Sequence, residues 1–149
     1  MSSSKILKLM KEKEVDYVDL RFTDPRGKLQ HLTMDGKMID EKMLNEGVFF
    51  DGSSIAGWKA INESDMILKP DLNRQVIDPF TSHNTLILFC DVLDAVKKNP
   101  YERDPRSIAK KAENYLKKTG IGDKAFFGPE AEFFVFDDVK FKNDMHETG

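Results

Sequence analysis

The sequence has a single cysteine and no long apolar run. Because Cys90 has no second cysteine to pair with, an intrachain disulfide and a zinc site built from several cysteines are both excluded. We expect Cys90, inside the apolar segment TLILFCDV, to be a small buried side chain. No apolar stretch approaches the roughly 20 residues that a membrane span requires, and the N-terminus MSSSKILKLMKEKEV has no apolar core of signal-peptide length. These absences predict a cytoplasmic protein with no membrane partner.

An excess of positive charge is also absent. The 149 residues carry a formal net charge of −3, and the lysines are interleaved with acidic residues. Domains that bind nucleic acids usually present a basic patch, whereas interleaved charge is typical of solvated faces. We therefore expect no nucleic-acid partner. The length allows one ordinary domain, or a small domain with part of another.

The first two thirds of the sequence predict an α+β domain. Ile6, Leu9 and Met10 form one stripe of a short N-terminal helix, and a second helix, DEKMLNEG, is expected to begin near Asp40 and to end at Gly47. Five strands are predicted: VDYVDLRF and LQHLTM, which form a hairpin, and then DMILKPD, RQVIDPF and TLILFCDVLD. The last segment does not alternate polar and apolar residues, which predicts a central strand covered on both faces.

A polar segment with two prolines, KKNPYERDPRS, separates this domain from a helix and a further strand. Asp104 has the position of a helix N-cap and Pro105 that of the first helical residue, while Gly120 follows the last turn. The next segment, FGPEAEFFVFD, is predicted to be a strand because it is apolar and aromatic. One helix and one strand are too little to bury a second core, so we expect the chain to be the front of a longer protein.

The last predicted strand contains two glutamates, Glu130 and Glu132, on one face, because side chains alternate along a strand. Their Cα atoms would lie about 6.5 Å apart, and two carboxylates at that spacing repel each other. A face open to water, protonation of one glutamate, or bound cations would relieve the repulsion. Carboxylate oxygens suit Mg²⁺ or Mn²⁺, and two neighbouring metals would suit phosphoryl transfer. Ordinary solvated charges are the competing interpretation.

A second polar motif, DGSS, follows two phenylalanines in the segment FFDGSSIAGW. Asp51 and Gly52 favour a tight turn in which serine hydroxyls and backbone amides are available. The motif is either a loop in which Asp51 caps the amides that follow it, or a loop that presents a carboxylate and hydroxyls to a ligand. In the second case Trp58 would be a large apolar side chain at a contact surface. The pattern alone leaves both interpretations open.

In combination, these segments resemble the front end of type I (bacterial) glutamine synthetases. The resemblance is carried by FFDGSSIAGW, INESDMILKPD, RDPRSIAKKAENYLKKTG and FGPEAEFFVFD in this order, with the hairpin VDLRFTDPRGKLQHLT and VIDPF before TLILFCDV in support. It implies an α+β protein with an N-terminal helix over residues 1–14, a β-grasp domain over 15–98 and a linker over 99–104. Residues 105–149 would be the truncated start, a helix and strands, of the catalytic domain.

The resemblance also implies an activity, the ATP-dependent ligation of ammonia to L-glutamate, which gives L-glutamine, ADP and phosphate through γ-glutamyl phosphate. Glu130 matches a ligand of the metal that holds the nucleotide phosphates, and Glu132 matches a ligand of the metal at the glutamate side. Asp51 matches the aspartate that helps bind ammonium and take its proton, and Ser54 belongs to the same loop. The implied cofactors are two or more Mg²⁺ or Mn²⁺ ions per site, with ATP as a substrate.

In the family, this loop reaches the active site of a neighbouring subunit in a double-ring dodecamer. The resemblance therefore implies a homo-oligomer with active sites between subunits and places Trp58 at the subunit contact. Ala131 stands where the family often has proline, and because it points to the opposite face we expect no loss of metal binding. The chain alone is expected to be inactive, since most of the site lies beyond it. One alternative is a γ-glutamyl-amine ligase of the same superfamily, but Asp51 favours ammonia because the matching aspartate binds ammonium. The other alternative is a stand-alone β-grasp interaction module.

Overall fold

The computed structural model describes residues 1–58 and 64–146, and within these ranges it contains one five-stranded mixed sheet. The strands are β1 (Tyr17–Thr23), β2 (Leu29–Asp35), β3 (Val48–Asp51), β4 (Asp65–Ile77) and β5 (Thr85–Asp94). The helices are α1 (Ser3–Glu12), α2 (Glu41–Glu46) and α3 (Pro105–Thr119). The sheet order is β2-β1-β5-β4-β3, with β1 and β5 parallel and the other neighbours antiparallel. The predicted α+β class is confirmed.

The predicted hairpin and central strand are both present. β1 and β2 pair from Tyr17 opposite Asp35 to Thr23 opposite Leu29, and β5 lies in the middle of the sheet. Its Cys90 is 1% exposed, as predicted, and burial raises the pKa of the thiol. A buried, protonated thiol is a packing residue rather than a nucleophile.

Two of the predicted strands are one strand. DMILKPD and RQVIDPF join in β4, whose register against β5 shifts between Pro70 and Gln75. Proline has no amide hydrogen for the ladder, so the pairing breaks there and resumes a few residues later. The short strand β3 was not predicted, because VFFD is only four residues long and is held by its pairing with β4.

The core lies between one face of the sheet and helices α1 and α2. Every second residue of β1 points into it, and on β5 the residues Leu86, Leu88, Cys90 and Val92 do so. Ile87 of β5 is buried on the opposite face, which explains why the apolar residues of β5 do not alternate with polar ones. The fully buried apolar side chains are Ile6, Val18, Leu20, Leu44, Met66, Leu68, Leu86, Leu88 and Val92. No helix in the described ranges is long and apolar enough to cross a membrane.

The helix ends follow the predicted capping residues. The Asp40 carboxylate accepts the Met43 amide at 2.7 Å at the start of α2, and Gly47 ends that helix with φ +87°. At the start of α3, Asp104 accepts the amide of Ser107 at 3.0 Å and its hydroxyl at 2.8 Å. Gly120 ends α3 in the left-handed region, with φ +72°. Caps depend on neighbouring residues only, which is why the sequence predicts them well.

The predicted strand FGPEAEFFVFD is wrong for this structure. None of the described residues from 121 to 146 belongs to a strand, and the phenylalanine side chains from Phe126 to Phe136 are exposed, Phe127 by 89%. A strand is stable only when its backbone groups pair with a neighbour and its apolar face is covered. The five strands of the sheet pair with one another, and the described residues supply no further partner.

Candidate functional site

Asp51 lies at the end of β3, where the chain leaves the sheet. Its Oδ1 atom accepts the Ser53 hydroxyl at 2.6 Å and the Ser53 amide at 2.8 Å. These two bonds, with a smaller contribution from the Ser64 side chain, hold the pKa of the Asp51 carboxyl below its usual range. The predicted capping role is confirmed. Because the side chain is also exposed, the same residue presents an ionised carboxylate to solvent.

Gly52 lets the loop lie directly against β4. Its amide donates to the Ser64 carbonyl at 2.7 Å. A Cβ atom at Gly52 would lie 2.7 Å from Cγ of the buried Met66, closer still to its Sδ, and 3.0 Å from the Ser64 carbonyl oxygen. The backbone beside Asp51 is therefore fixed by close contact as well as by the pairing of Asp51 with Asp65.

The far end of the loop rests on a cluster of four aromatic rings, those of Phe22, Phe50, Trp58 and Tyr101. Trp58 contacts the other three, with ring centroids 5.7 Å from Phe22, 6.1 Å from Phe50 and 5.7 Å from Tyr101. The indole is 5% exposed, so the ring predicted at a contact surface is instead buried within the chain, where it completes the cluster. A subunit contact at Trp58 stays a prediction, and it concerns the loop that the ring anchors.

Ser54 is exposed and ends the short 3₁₀ turn that follows Asp51. The Ile55 amide donates to the Gly52 carbonyl at 3.2 Å and closes this turn. The predicted loop residues Asp51 and Ser54 therefore lie at the two ends of one tight turn on the surface of the sheet. Ile61, Asn62 and Glu63, which belong to the quoted segment INESDMILKPD, lie outside the described residues.

Glu130 and Glu132 are exposed and lie in a segment without regular secondary structure. In the described ranges, no group of three or more His, Cys, Asp or Glu side chains is placed to hold a metal ion. Their oxygens are the right kind of ligand for Mg²⁺ or Mn²⁺, but two carboxylates supply fewer ligands than the roughly six that Mg²⁺ takes. They could form part of a metal site and do not form one alone.

A second polar cluster, which no sequence motif indicated, surrounds Asp19 on the other face of the sheet. Asp19 is 4% exposed and accepts Arg21 Nε at 2.7 Å and Thr33 Oγ1 at 2.8 Å, and its Oδ1 lies 2.8 Å from Nδ1 of His31. Arg21 also donates to Asp78 at 3.0 Å. The hairpin register, which pairs Asp19 with Thr33 and Arg21 with His31, would have predicted the cluster. Arg21 bridges the carboxylates of Asp19 and Asp78, so the cluster joins the hairpin to the end of β4.

The chain matches two successive domains of one enzyme family, a β-grasp domain and the start of a catalytic domain. The glutamine synthetase β-grasp domain family matches residues 14–95, and the glutamine synthetase catalytic domain family matches residues 102–149. The chain belongs to the glutamine synthetase family. The predicted resemblance and the predicted β-grasp fold are both confirmed.

Individual relatives agree with the family assignment. The chain is 61% identical over 148 residues to the glutamine synthetase of Rhizobium meliloti (strain 1021), covering 99% of this chain and 32% of the relative. It is 59% identical over 145 residues to that of Methylococcus capsulatus, covering 97% of this chain and 31% of the relative. Among solved structures, a Plasmodium falciparum glutamine synthetase has a TM-score of 0.72 at 24% identity, over 80% of this chain and 23% of that one, which supports the fold alone. The chain thus spans about a third of the length of these curated relatives.

Proposed function

We propose that this chain supplies the ammonium-binding loop of a glutamine synthetase. The reaction is the ATP-dependent ligation of ammonia to L-glutamate, which gives L-glutamine, ADP and phosphate through γ-glutamyl phosphate. The observation that carries the proposal is the loop of Asp51, an ionised and exposed carboxylate on a turn that is fixed at both ends. The identity of 61% to the Rhizobium meliloti glutamine synthetase supports the assignment.

Asp51 is ionised at neutral pH, as an exposed aspartate ordinarily is, and the bonds from Ser53 that lower its pKa favour that state. A carboxylate that is ionised at neutral pH attracts a cation and accepts hydrogen bonds from it, which suits ammonium. Hydrogen bonds from Ser53 also fix the direction of the carboxylate. Proton transfer from ammonium to Asp51 becomes favourable only when water is excluded, because desolvation raises the pKa of a carboxyl group. Asp51 therefore binds and orients ammonium first and takes its proton in the closed site.

Glu130 and Glu132 would hold two Mg²⁺ or Mn²⁺ ions together with ligands that the described residues do not supply. When bound, such ions stabilise the charge on a transferring phosphoryl group and on the nucleotide phosphates. The likeness of residues 102–149 to the catalytic domain family supports this role. The chain alone should bind these metals weakly, because two exposed carboxylates leave an ion mostly hydrated.

The experiment uses the full-length protein in a γ-glutamyl transfer assay, with glutamine and hydroxylamine as substrates and Mn²⁺ as the metal. We expect γ-glutamyl hydroxamate to form, and Glu132→Ala to reduce both its formation and the affinity for Mn²⁺. Glu113→Ala is the matched control, because Glu113 is an exposed glutamate that pairs with Lys117 on α3. Unchanged activity and metal affinity in Glu132→Ala would remove the metal assignment. In the synthetic direction, with glutamate and ATP, product formed with another amine but not with ammonia would favour the amine ligase instead.

The proposed assembly is a homo-oligomer, a double-ring dodecamer in the family, whose active sites lie between subunits. It predicts that Asp51 of one subunit and Glu132 of its neighbour serve the same site. Full-length Asp51→Ala and Glu132→Ala subunits, each inactive alone, should regain activity when they are dissociated and reassembled together. In an equal mixture, random pairing restores about one site in four, because a working site needs a Glu132→Ala subunit on the Asp51 side and an Asp51→Ala subunit on the Glu132 side. No recovery in a mixed oligomer would mean that each subunit contains its whole site.

The localisation proposed is cytoplasmic.

A further inference from the structure

The segment that leads out of the β-grasp domain fastens the far end of the Asp51 loop. The Tyr101 hydroxyl donates to the Trp58 carbonyl oxygen at 2.9 Å, and Arg103 Nη1 donates to the Gly57 carbonyl oxygen at 2.9 Å. Two successive carbonyl groups of the loop are thus held by two side chains that lie two residues apart. Both contacts are made to backbone, so they act on the path of the loop rather than on one side chain.

The backbone of Tyr101 is hydrogen-bonded to the central strand β5. After β5 the chain turns back, with the Asp94 amide donating to the Asn99 carbonyl at 3.0 Å and the Tyr101 amide donating to the Val92 carbonyl at 2.9 Å. The Tyr101 ring meets the Trp58 ring edge to face and is 8% exposed. Residues 99–104, which the sequence predicts to be a linker, therefore include a residue whose backbone is bonded to the central strand and whose side chain is buried in the core.

The loop has different supports at its two ends. Asp51 and Gly52 are fixed by pairing and close contact with β4. At the other end, Gly57 has φ +86° and no atom within 4 Å of the position of a Cβ. Gly57 itself is open on that side, so the bonds from Arg103 and Tyr101 act beside the packing of the buried Trp58 ring to hold this end of the loop.

We infer that Tyr101 and Arg103 are positioning residues for ammonium binding. They hold the end of the loop that is remote from Asp51, and together with the packing of Trp58 they restrict the path of the loop that presents Asp51 and Ser54. This inference rests on the proposed function. Neither side chain needs to touch ammonium, glutamate or ATP, so the effect of losing either bond should fall on ammonium binding alone.

The test measures steady-state glutamine synthesis by the full-length enzyme carrying Tyr101→Phe. Phenylalanine keeps the ring and its packing and removes only the hydroxyl. We expect the KM for ammonium to rise roughly threefold to tenfold, the equivalent of one hydrogen bond, with kcat and the KM values for glutamate and ATP unchanged. Tyr17→Phe is the matched control, because the Tyr17 ring packs against His83, away from the loop.

Arg103 provides a second, independent variant. Arg103→Ala should raise the KM for ammonium and Arg103→Lys should partly restore it, because lysine retains a charged donor of similar reach. Arg26→Ala, in the exposed turn of the hairpin, should have no effect. The inference is overturned if the KM for ammonium is unchanged in both Tyr101→Phe and Arg103→Ala. It is also overturned if the KM values for ammonium, glutamate and ATP all rise by the same factor. If the unmodified enzyme makes no glutamine from ammonium, the proposed function itself fails, and the two failures are thereby distinguished.

Discussion

Gly52→Ala should displace the Asp51 loop, because the added methyl group has no space. The new Cβ would lie 2.7 Å from Met66 Cγ and 3.0 Å from the Ser64 carbonyl oxygen, against an ordinary contact distance of 3.4–4 Å. Met66 is fully buried and lies on β4 opposite Phe50, so it cannot move into solvent. Overpacking of this kind costs about 1–3 kcal/mol.

Urea unfolding of the chain, followed by tryptophan fluorescence, measures this cost at the right place. Trp58 is the only tryptophan in the sequence, and it is buried at the other end of the same loop. We expect Gly52→Ala to lower the free energy of unfolding by about 1–3 kcal/mol and to shift the emission of the folded state toward that of an exposed indole. In the full-length enzyme, the same variant should raise the KM for ammonium.

The control is Gly128→Ala, because a Cβ at Gly128 meets no atom within 4 Å and the residue lies outside the sheet. It should leave both the unfolding free energy and the emission spectrum unchanged. Equal stability of Gly52→Ala and Gly128→Ala, with unchanged Trp58 emission, would refute the argument that close contact with β4 fixes the loop.

Two further predictions concern buried carboxylates. Asp104→Ala should lower the free energy of unfolding by about 1–3 kcal/mol in urea titration, since it removes a helix cap and leaves the buried Ser107 hydroxyl without its acceptor. Asp104→Asn should cost less, and a smaller loss in Asp104→Ala than in Asp104→Asn would contradict this. At Asp19, burial alone would raise the pKa. The hydrogen bonds from Arg21, His31 and Thr33 together lower it by more than burial raises it, so the folded-state pKa is below the unfolded one. Its stabilisation is then complete above about pH 4 and is lost as the pH falls through the folded-state pKa. The stability difference between the unmodified chain and Asp19→Asn should shrink in that acidic range, and a constant difference down to acid unfolding would contradict the assignment.

Local signals predicted the parts of the fold that depend on a few adjacent residues. The caps at Asp40 and Asp104 and the turn between β1 and β2 were predicted this way, because capping and turn chemistry act within a few residues. Long-range pairing decided the rest. β4 looked like two strands because Pro70 interrupts its pattern, and FGPEAEFFVFD looked like a strand although the described residues give it no partner.

The same division applies to the site. The capping role of Asp51 follows from its position before Gly52 and Ser53, and it is one of the two interpretations that the sequence left open. The contact between Tyr101 and Trp58 joins residues 43 positions apart, and no local pattern indicates it. Trp58 was assigned to a contact surface because large aromatic residues are common at interfaces. Within the chain it contacts three other rings, which the sequence did not indicate, and the subunit contact stays a prediction.

The most direct test of the account is the ammonium dependence of glutamine synthesis by full-length Asp51→Ala. We expect a large loss of synthesis at low ammonium with ATP binding retained, because the variant removes the carboxylate that attracts ammonium and leaves the nucleotide site intact. Asp51→Ala with normal synthesis at low ammonium, or with ammonium and ATP binding weakened equally, would contradict the claim that this loop binds ammonium.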